Sequence, residues 1–102
     1  MSQRRHDASR DANELEIVRA LETVGATVQR LNESGCPDLL VGYGGADYLL
    51  EVKLPLGARG GSKDRILTDR QQEWWREWRG AEPNIVRTEE EALFVIGASP
   101  RG

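Results

Sequence analysis

The sequence predicts an α/β domain in which a small mixed sheet is covered by helices on both faces. Apolar side chains over residues 11–24 recur with the spacing of an amphipathic helix. Two short apolar runs, 38–41 and 48–54, are separated by glycines, which is typical of an antiparallel hairpin. Capping boxes that begin at Thr68 and Thr88 open two further helices. Helices and strands in this mixed order favour helix layers on either side of one sheet.

Glycines and a glycine-rich loop set the remaining element boundaries. Gly25, Gly80 and Gly97 end the three predicted helices, as glycine commonly does at a helix C-terminus. The glycine-rich segment 55–64 is a predicted flexible loop. The predicted order is helix 11–24, strand 26–31, strand 38–41, strand 48–54, helix 68–79, strand 84–87 and helix 88–97.

Length and composition indicate one domain. A chain of 102 residues has room for a single modest hydrophobic core. We expect a disordered basic arm over 1–10, the domain over 11–98 and a tail over 99–102. Because Cys36 is the only cysteine, an internal disulfide and a cysteine zinc site are excluded. A single cysteine also removes any need for an oxidising compartment, so we expect a cytoplasmic protein. No apolar run approaches the roughly 20 residues that span a bilayer, so we expect it to be soluble.

The net charge of −3 disfavours an anionic partner, but the basic residues are concentrated. They lie in the N-terminal arm and in the segment after the hairpin. The candidate phosphate-binding residues are Arg4, Arg5, Arg10, Arg59, Lys63 and Arg65. Carboxylates that bind a metal would lose their repulsion, so a positive surface is compatible with an acidic chain.

Three ionisable residues interrupt the apolar hairpin. Asp38 begins its first strand, while Glu51 and Lys53 project from one face of the second. Charged residues inside strands that look buried on both sides are unusual unless they bind something. A carboxylate pair suits Mg²⁺ or Mn²⁺, and the ammonium can position an anionic reactant.

These residues carry a resemblance to a known family. Pro37-Asp38 followed by Glu51-Val52-Lys53 resembles the signature of PD-(D/E)xK nucleases. With the helix segment 13–18 and Leu67-Thr68-Asp69-Arg70-Gln71, nearly the whole chain resembles small stand-alone VRR-NUC nucleases, often phage-encoded, and archaeal-type Holliday junction resolvases. The resemblance implies a restriction-endonuclease-like α/β/α sandwich and, for a phage protein, the host cytoplasm.

The resemblance also implies residue roles. Asp38, Glu51 and the Val52 carbonyl would hold Mg²⁺ or Mn²⁺, and Glu14 would be the metal-site glutamate of the first helix. Lys53 would position the attacking water or offset transition-state charge, and Gln71 would reach a phosphate or a metal-bound water. The family acts on DNA by leaving a 5′-phosphate. Its stand-alone members form twofold dimers, which would place two sites for paired cuts in branched or junction DNA.

Structural explanations compete with these roles. Asp38 is also a common turn residue, and Glu51 with Lys53 would form an ordinary ion pair on an exposed strand. Glu14 would fall at the third helical position if Asp11 were the N-cap, where a carboxylate satisfies helix-end amides. Gln71 completes the capping box that begins at Thr68 and so has the same ambiguity.

The aromatic and sulfur side chains have simpler interpretations. Trp74 and Trp78, four residues apart, are expected to pack in the core. Trp75 is the candidate for exposure, where it would contact a second copy or a base. Cys36 is expected to be a small buried thiol, since His6 lies in the arm and no other histidine is present to activate it.

The predicted function is a divalent-metal-dependent DNA endonuclease that works as a homodimer. Two alternatives remain open. A DNA-binding module of the same fold would use the basic residues without cutting, although unused carboxylates would repel DNA. A small acidic regulatory or interaction protein would agree with the net charge but would leave Asp38, Glu51 and Lys53 unexplained.

Overall fold

The computed structural model describes residues 8–57 and 66–98, with only the backbone for residues 8–10. The arm up to residue 7, most of the predicted loop and the tail lie outside these ranges. In chain order the elements are α1 (Ala8–Thr23), β1 (Thr27–Arg30), β2 (Leu39–Tyr43), β3 (Ala46–Val52), α2 (Asp69–Glu77), β4 (Asn84–Val86) and α3 (Glu89–Ile96). This is the predicted order, and each boundary lies within three residues of its prediction.

The first helix begins earlier than its sequence pattern indicated. It starts at Ala8, so the expected boundary between arm and domain falls in its first turn. Ile17, Val18 and Leu21 are buried and lie on one face, since residues four apart in a helix are neighbours. Gly25, with φ 97°, follows the helix and turns the chain into β1. Within the described ranges, no helix combines the length and apolar character that crossing a membrane requires.

The hairpin of β2 and β3 closes through a two-residue turn. Gly44 and Gly45 have φ of 62° and 84°, a left-handed conformation that glycine adopts without steric cost. Such turns match the right-handed twist of paired strands. The strands therefore extend further into the glycine segment than predicted, and Tyr43 pairs with Ala46.

The four strands form one mixed sheet in the order β1-β2-β3-β4. The first three are antiparallel neighbours, and β4 is parallel to β3. A parallel partner requires a crossover, which here contains α2. One further bond, from the Lys53 amide to the Val86 carbonyl at 3.1 Å, extends the β3–β4 ladder beyond Val52.

One side of the sheet, which we call the packed face, carries the hydrophobic core. Leu39, Val41, Leu50 and Val52 of the central strands are all fully buried there. They belong to one cluster with the apolar residues of α1 and α3, which cover this face. Tyr48 anchors α3 by donating its hydroxyl hydrogen bond to the Ile96 carbonyl at 3.5 Å.

The opposite side, which we call the open face, is covered by α2 and is packed less tightly. Strand alternation places Leu40, Leu49 and Glu51 on it. The helix has a complete capping box at Thr68, as predicted, but none of its residues is buried. The two layers of helix and the mixed sheet make the predicted α/β sandwich.

The tryptophans of α2 differ from expectation. Trp74 and Trp78 stack with ring centroids 4.8 Å apart, but Trp78 is 43% exposed. The prediction that both pack in the core is wrong because α2 ends at Glu77 and its C-cap, Trp78, is already extended. Trp75 is half-buried, and its enclosed Nε1 has no hydrogen-bond partner among the described residues.

The last helix is capped differently from its predicted box. The Glu91 amide donates to Thr88 Oγ1 at 3.1 Å, as an N-cap requires. The Glu91 carboxylate, however, accepts from the Arg87 amide at 2.7 Å, one residue before the N-cap. Gly97, with φ 80°, ends the helix as predicted.

Candidate active site

The hairpin register brings the predicted carboxylates together. Leu39 pairs with Leu50, so the next residues outward, Asp38 and Glu51, lie opposite each other on adjacent strands. The Val52 amide donates a 2.9 Å hydrogen bond to Asp38 Oδ2, which ties the start of β2 to the end of β3. Asp38 thus contacts the strand that carries Glu51 and Lys53, rather than only its own turn.

Glu51 and Lys53 form an ion pair inside the protein. Lys53 Nζ lies 3.6 Å from Glu51 Oε2, and the two side chains are 1% and 0% exposed. The explanation of an exposed strand pair is therefore wrong. Moving a charged group out of water costs on the order of several kcal/mol for each ion. The attraction between the two charges offsets only part of this cost. Such a pair is a weak source of stability and a common feature of functional sites.

Gln71 joins α2 to this pair through its side-chain amide. Its Oε1 accepts from the Thr68 amide at 3.0 Å, which completes the capping box. Its Nε2 donates to Glu51 Oε2 at 2.9 Å. One amide therefore caps the helix through its acceptor and holds the Glu51 carboxylate through its donor. The predicted contact of Gln71 with a phosphate or a metal-bound water stays a prediction. The capping box holds the first turn of α2 over the open face.

Glu14 is placed on α1 near the edge of the sheet. Its Oε2 pairs with Arg30 Nε at 3.1 Å, with Glu14 19% and Arg30 50% exposed. The helix starts at Ala8, so Glu14 is in the second turn and the capping explanation is wrong. No group of three or more His, Cys, Asp and Glu side chains suited to a metal occurs within residues 8–57 and 66–98.

Two supporting residues were not predicted from the sequence. Asn13 Nδ2 donates to the Lys53 carbonyl at 3.3 Å and to the Arg87 carbonyl at 3.2 Å, which links α1 to the ends of β3 and β4. Arg87 Nη1 donates to the Leu54 carbonyl at 2.9 Å. The sequence did contain a signal for Asn13, since asparagine inside a helix is disfavoured unless its amide has a partner.

Cys36 lies close to the candidate carboxylates. Burial raises the pKa of the Cys36 thiol above its usual value. The negative charges of Glu33, Glu51 and Asp38 raise this pKa further. The thiol is free and half-buried, and a raised pKa keeps it protonated and poorly nucleophilic.

Most of the predicted phosphate-binding residues belong to the N-terminal arm and to the segment after β3. Arg4, Arg5, Arg59, Lys63 and Arg65 lie outside the described residues, and the backbone of Arg10 lies in α1.

A comparison with solved structures bears on the fold. No protein-family model matches the chain, and no curated protein matches it. Among solved structures, the chain is similar to one titled "VRR_NUC domain", with 25% sequence identity and a TM-score of 0.56. The match covers 86% of this chain and 94% of that one. The chain therefore has a fold of the VRR-NUC nuclease type.

Proposed function

We propose that the protein is a divalent-metal-dependent endonuclease that hydrolyses phosphodiester bonds in branched or junction DNA. One observation carries the proposal: a buried Glu51–Lys53 pair, oriented by Gln71, lies opposite Asp38 on a nuclease-type fold. Charged side chains are rarely buried in a hydrophobic core. Metal-dependent hydrolysis of a phosphate ester, in contrast, uses carboxylates to hold the ion and a nearby cation to act on the reactants.

The donor set fits Mg²⁺ or Mn²⁺. Asp38 and Glu51 are hard oxygen donors on neighbouring strands, and the Val52 carbonyl belongs to the strand that the Asp38 carboxylate already contacts. Glu14 is engaged with Arg30, so we assign it to an indirect role through water or to a second ion. Magnesium sites commonly use one or two carboxylates, keep several waters and bind a substrate phosphate.

The residues divide the chemistry between them. A bound ion would polarise the scissile phosphate and lower the pKa of a water nucleophile. Lys53, buried beside Glu51, would donate to the developing negative charge or hold the water in line. Gln71 would keep the Glu51 carboxylate in one orientation through its Nε2 donor. Asn13, which bonds the Lys53 carbonyl, would fix the backbone that carries the ammonium.

DNA binding would rely on the basic residues of the arm and of the segment after β3. These are Arg4, Arg5 and Arg10, together with Arg59, Lys63 and Arg65. A chain of this size presents one site, and paired cuts in a junction need two. A twofold homodimer would supply both.

A cleavage assay separates the proposal from its alternatives. Supercoiled plasmid and a four-way junction are incubated with the protein in Mg²⁺, in Mn²⁺ and in EDTA. We expect cutting that depends on the metal, with the junction preferred over its linear duplex arms. Binding without cutting would select the DNA-binding module, and neither binding nor cutting would select the acidic regulatory protein.

A further inference from the structure

A groove on the open face lies between α2 and the sheet. It has a volume of about 520 Å³, within the range of small-ligand sites. Its floor includes Leu40 and Leu49 of the hairpin, and its wall on the helix side is Trp74 and Trp78. Among the described residues that line it, Asp47 is the one that carries a charge. The groove therefore suits a flat, largely apolar group and not a phosphate.

Trp78 is held in place although it is exposed. Its Nε1 donates to the Ala81 carbonyl at 3.0 Å, and its ring stacks on Trp74 at an interplanar angle of 16°. Its ring also packs on Gly80, where a Cβ would lie 2.8 Å from Nε1 and 2.9 Å from two ring carbons. Only glycine allows this position of the indole. An aromatic surface that is fixed before binding costs little entropy when a ligand stacks on it.

The groove borders the candidate active site. Cys36 lines the groove, and the charges of Asp38 and Glu51 act on its thiol. Gln71, which holds Glu51, precedes Trp74 by one helical turn on α2. A group in the groove would therefore lie beside a phosphate at the carboxylates.

We propose that this groove binds one unpaired nucleobase of the DNA substrate, stacked against the Trp78 indole. The inference rests on the proposed function, and it deepens that function by naming the feature of branched DNA that is recognised. Branched and bulged DNA offers an unstacked base next to a backbone phosphate, whereas a continuous duplex does not. Every base has a π-face, so stacking would select for an unpaired nucleotide without selecting for sequence.

The test compares two DNA ligands that differ in one base. A duplex with a single unpaired nucleotide and the same duplex with an abasic residue at that position are titrated by fluorescence anisotropy in EDTA, so that no cutting occurs. We expect the wild-type protein to bind the base-containing ligand at least about fivefold more tightly, which is the lower end for stacking of one base. Equal affinities, or no binding of either ligand, would overturn the inference.

Two variants assign the effect to the groove. Trp78→Leu removes the aromatic face. Gly80→Ala adds a single methyl group, which displaces the Trp78 indole. Both variants should bring the ratio of the two affinities close to one. Phe94→Leu is the matched control, because Phe94 is 84% exposed on α3, away from the groove, and should keep the wild-type ratio. A wild-type affinity ratio in both groove variants would contradict the proposal. Occupation of the groove by a second copy of the chain would also contradict it, because the wild-type protein and all variants would then bind the two DNA ligands equally.

The same proteins distinguish this inference from the nuclease proposal. Metal-dependent cutting with no preference for the unpaired base would refute the base site and leave the nuclease proposal standing. A base preference that disappears in Trp78→Leu, with no cutting in Mg²⁺ or Mn²⁺, would refute the nuclease proposal. The protein would then be a DNA-binding module with a base site.

Discussion

The two faces of the sheet use neighbouring residues of the same strands for opposite purposes. On the packed face, Leu50 and Val52 are fully buried among apolar side chains of α1 and α3. On the open face, Glu51 and Lys53 are equally buried but are charged. Burial by itself therefore does not identify the core of this protein. The chemistry of the alternate residues does, since a strand that stabilises the fold with one face can hold a reactive group with the other.

The helices show the same contrast. Residues from α1 and α3 contribute to the hydrophobic cluster, whereas α2 has no buried residue and reaches the sheet through the Gln71–Glu51 hydrogen bond. Stability is therefore concentrated on the packed face. We expect substitutions on the two faces to separate into losses of stability and losses of activity.

The largest expected effect is on cleavage. Glu51→Gln and Asp38→Asn each remove one ligand charge with little change of shape, and each should lower the metal-dependent cleavage rate by at least about a hundredfold. Glu16→Gln is the matched control, because Glu16 is an exposed carboxylate on α1. Circular dichroism of each variant checks that it remains folded. Wild-type cleavage by either site variant would make the metal-site assignment wrong.

The next effect is on stability and compares adjacent residues. Leu50→Ala empties a fully buried position on the packed face and should lower the free energy of unfolding by about 2–5 kcal/mol. Leu49→Ala, on the half-buried open face, should cost less than about 2 kcal/mol. Urea denaturation measures both. Equal losses would mean that α2 packs on the sheet as tightly as α1 and α3 do.

A smaller pair of effects separates the two tasks of Gln71. Thr68→Ala removes the N-cap of α2 and should cost about 0.5–2 kcal/mol of stability with little change in cleavage. Gln71→Ala also removes the donor to Glu51, so we expect a further loss of about 10- to 100-fold in rate, the usual range for a residue that orients a ligand. If Thr68→Ala lost activity to the same extent, helix capping alone would explain Gln71.

The smallest effect concerns DNA affinity. Replacing Arg59, Lys63 and Arg65 with alanine should weaken binding nearly uniformly across sequences and reduce the salt slope by about 0.9 for each phosphate that is no longer neutralised. Cleavage at saturating DNA should change little. An unchanged slope in this triple variant would move the DNA-binding surface to Arg4, Arg5 and Arg10.

Local patterns were enough to predict the fold class and the element order. Helix caps at Thr68 and Thr88 and the glycines of the hairpin are local signals, since a turn or cap depends on a few adjacent residues. The helix start at Ala8 was not predicted because the polar residues before Asp11 carry no apolar stripe.

The candidate site was less predictable because its contacts join distant parts of the chain. Strand alternation placed Glu51 and Lys53 on one face, but it did not show that both side chains are fully buried. The Asn13 hydrogen bonds to Lys53 and Arg87 span 40 and 74 residues, which no local pattern encodes. The exposure of Trp78 depends on where α2 ends, and helix ends are the least certain feature of a sequence pattern.

The central claim is that the open face holds a divalent metal at Asp38 and Glu51, with Lys53 acting on the reactants and not as a ligand. Titration of Mn²⁺, followed by the electron paramagnetic resonance signal of the free ion, tests it without DNA. We expect saturable binding by the wild-type protein, loss of that binding in the Asp38→Asn/Glu51→Gln double variant, and binding at least as tight as wild type in Lys53→Met. Mn²⁺ binding by the double variant with wild-type affinity would contradict the claim.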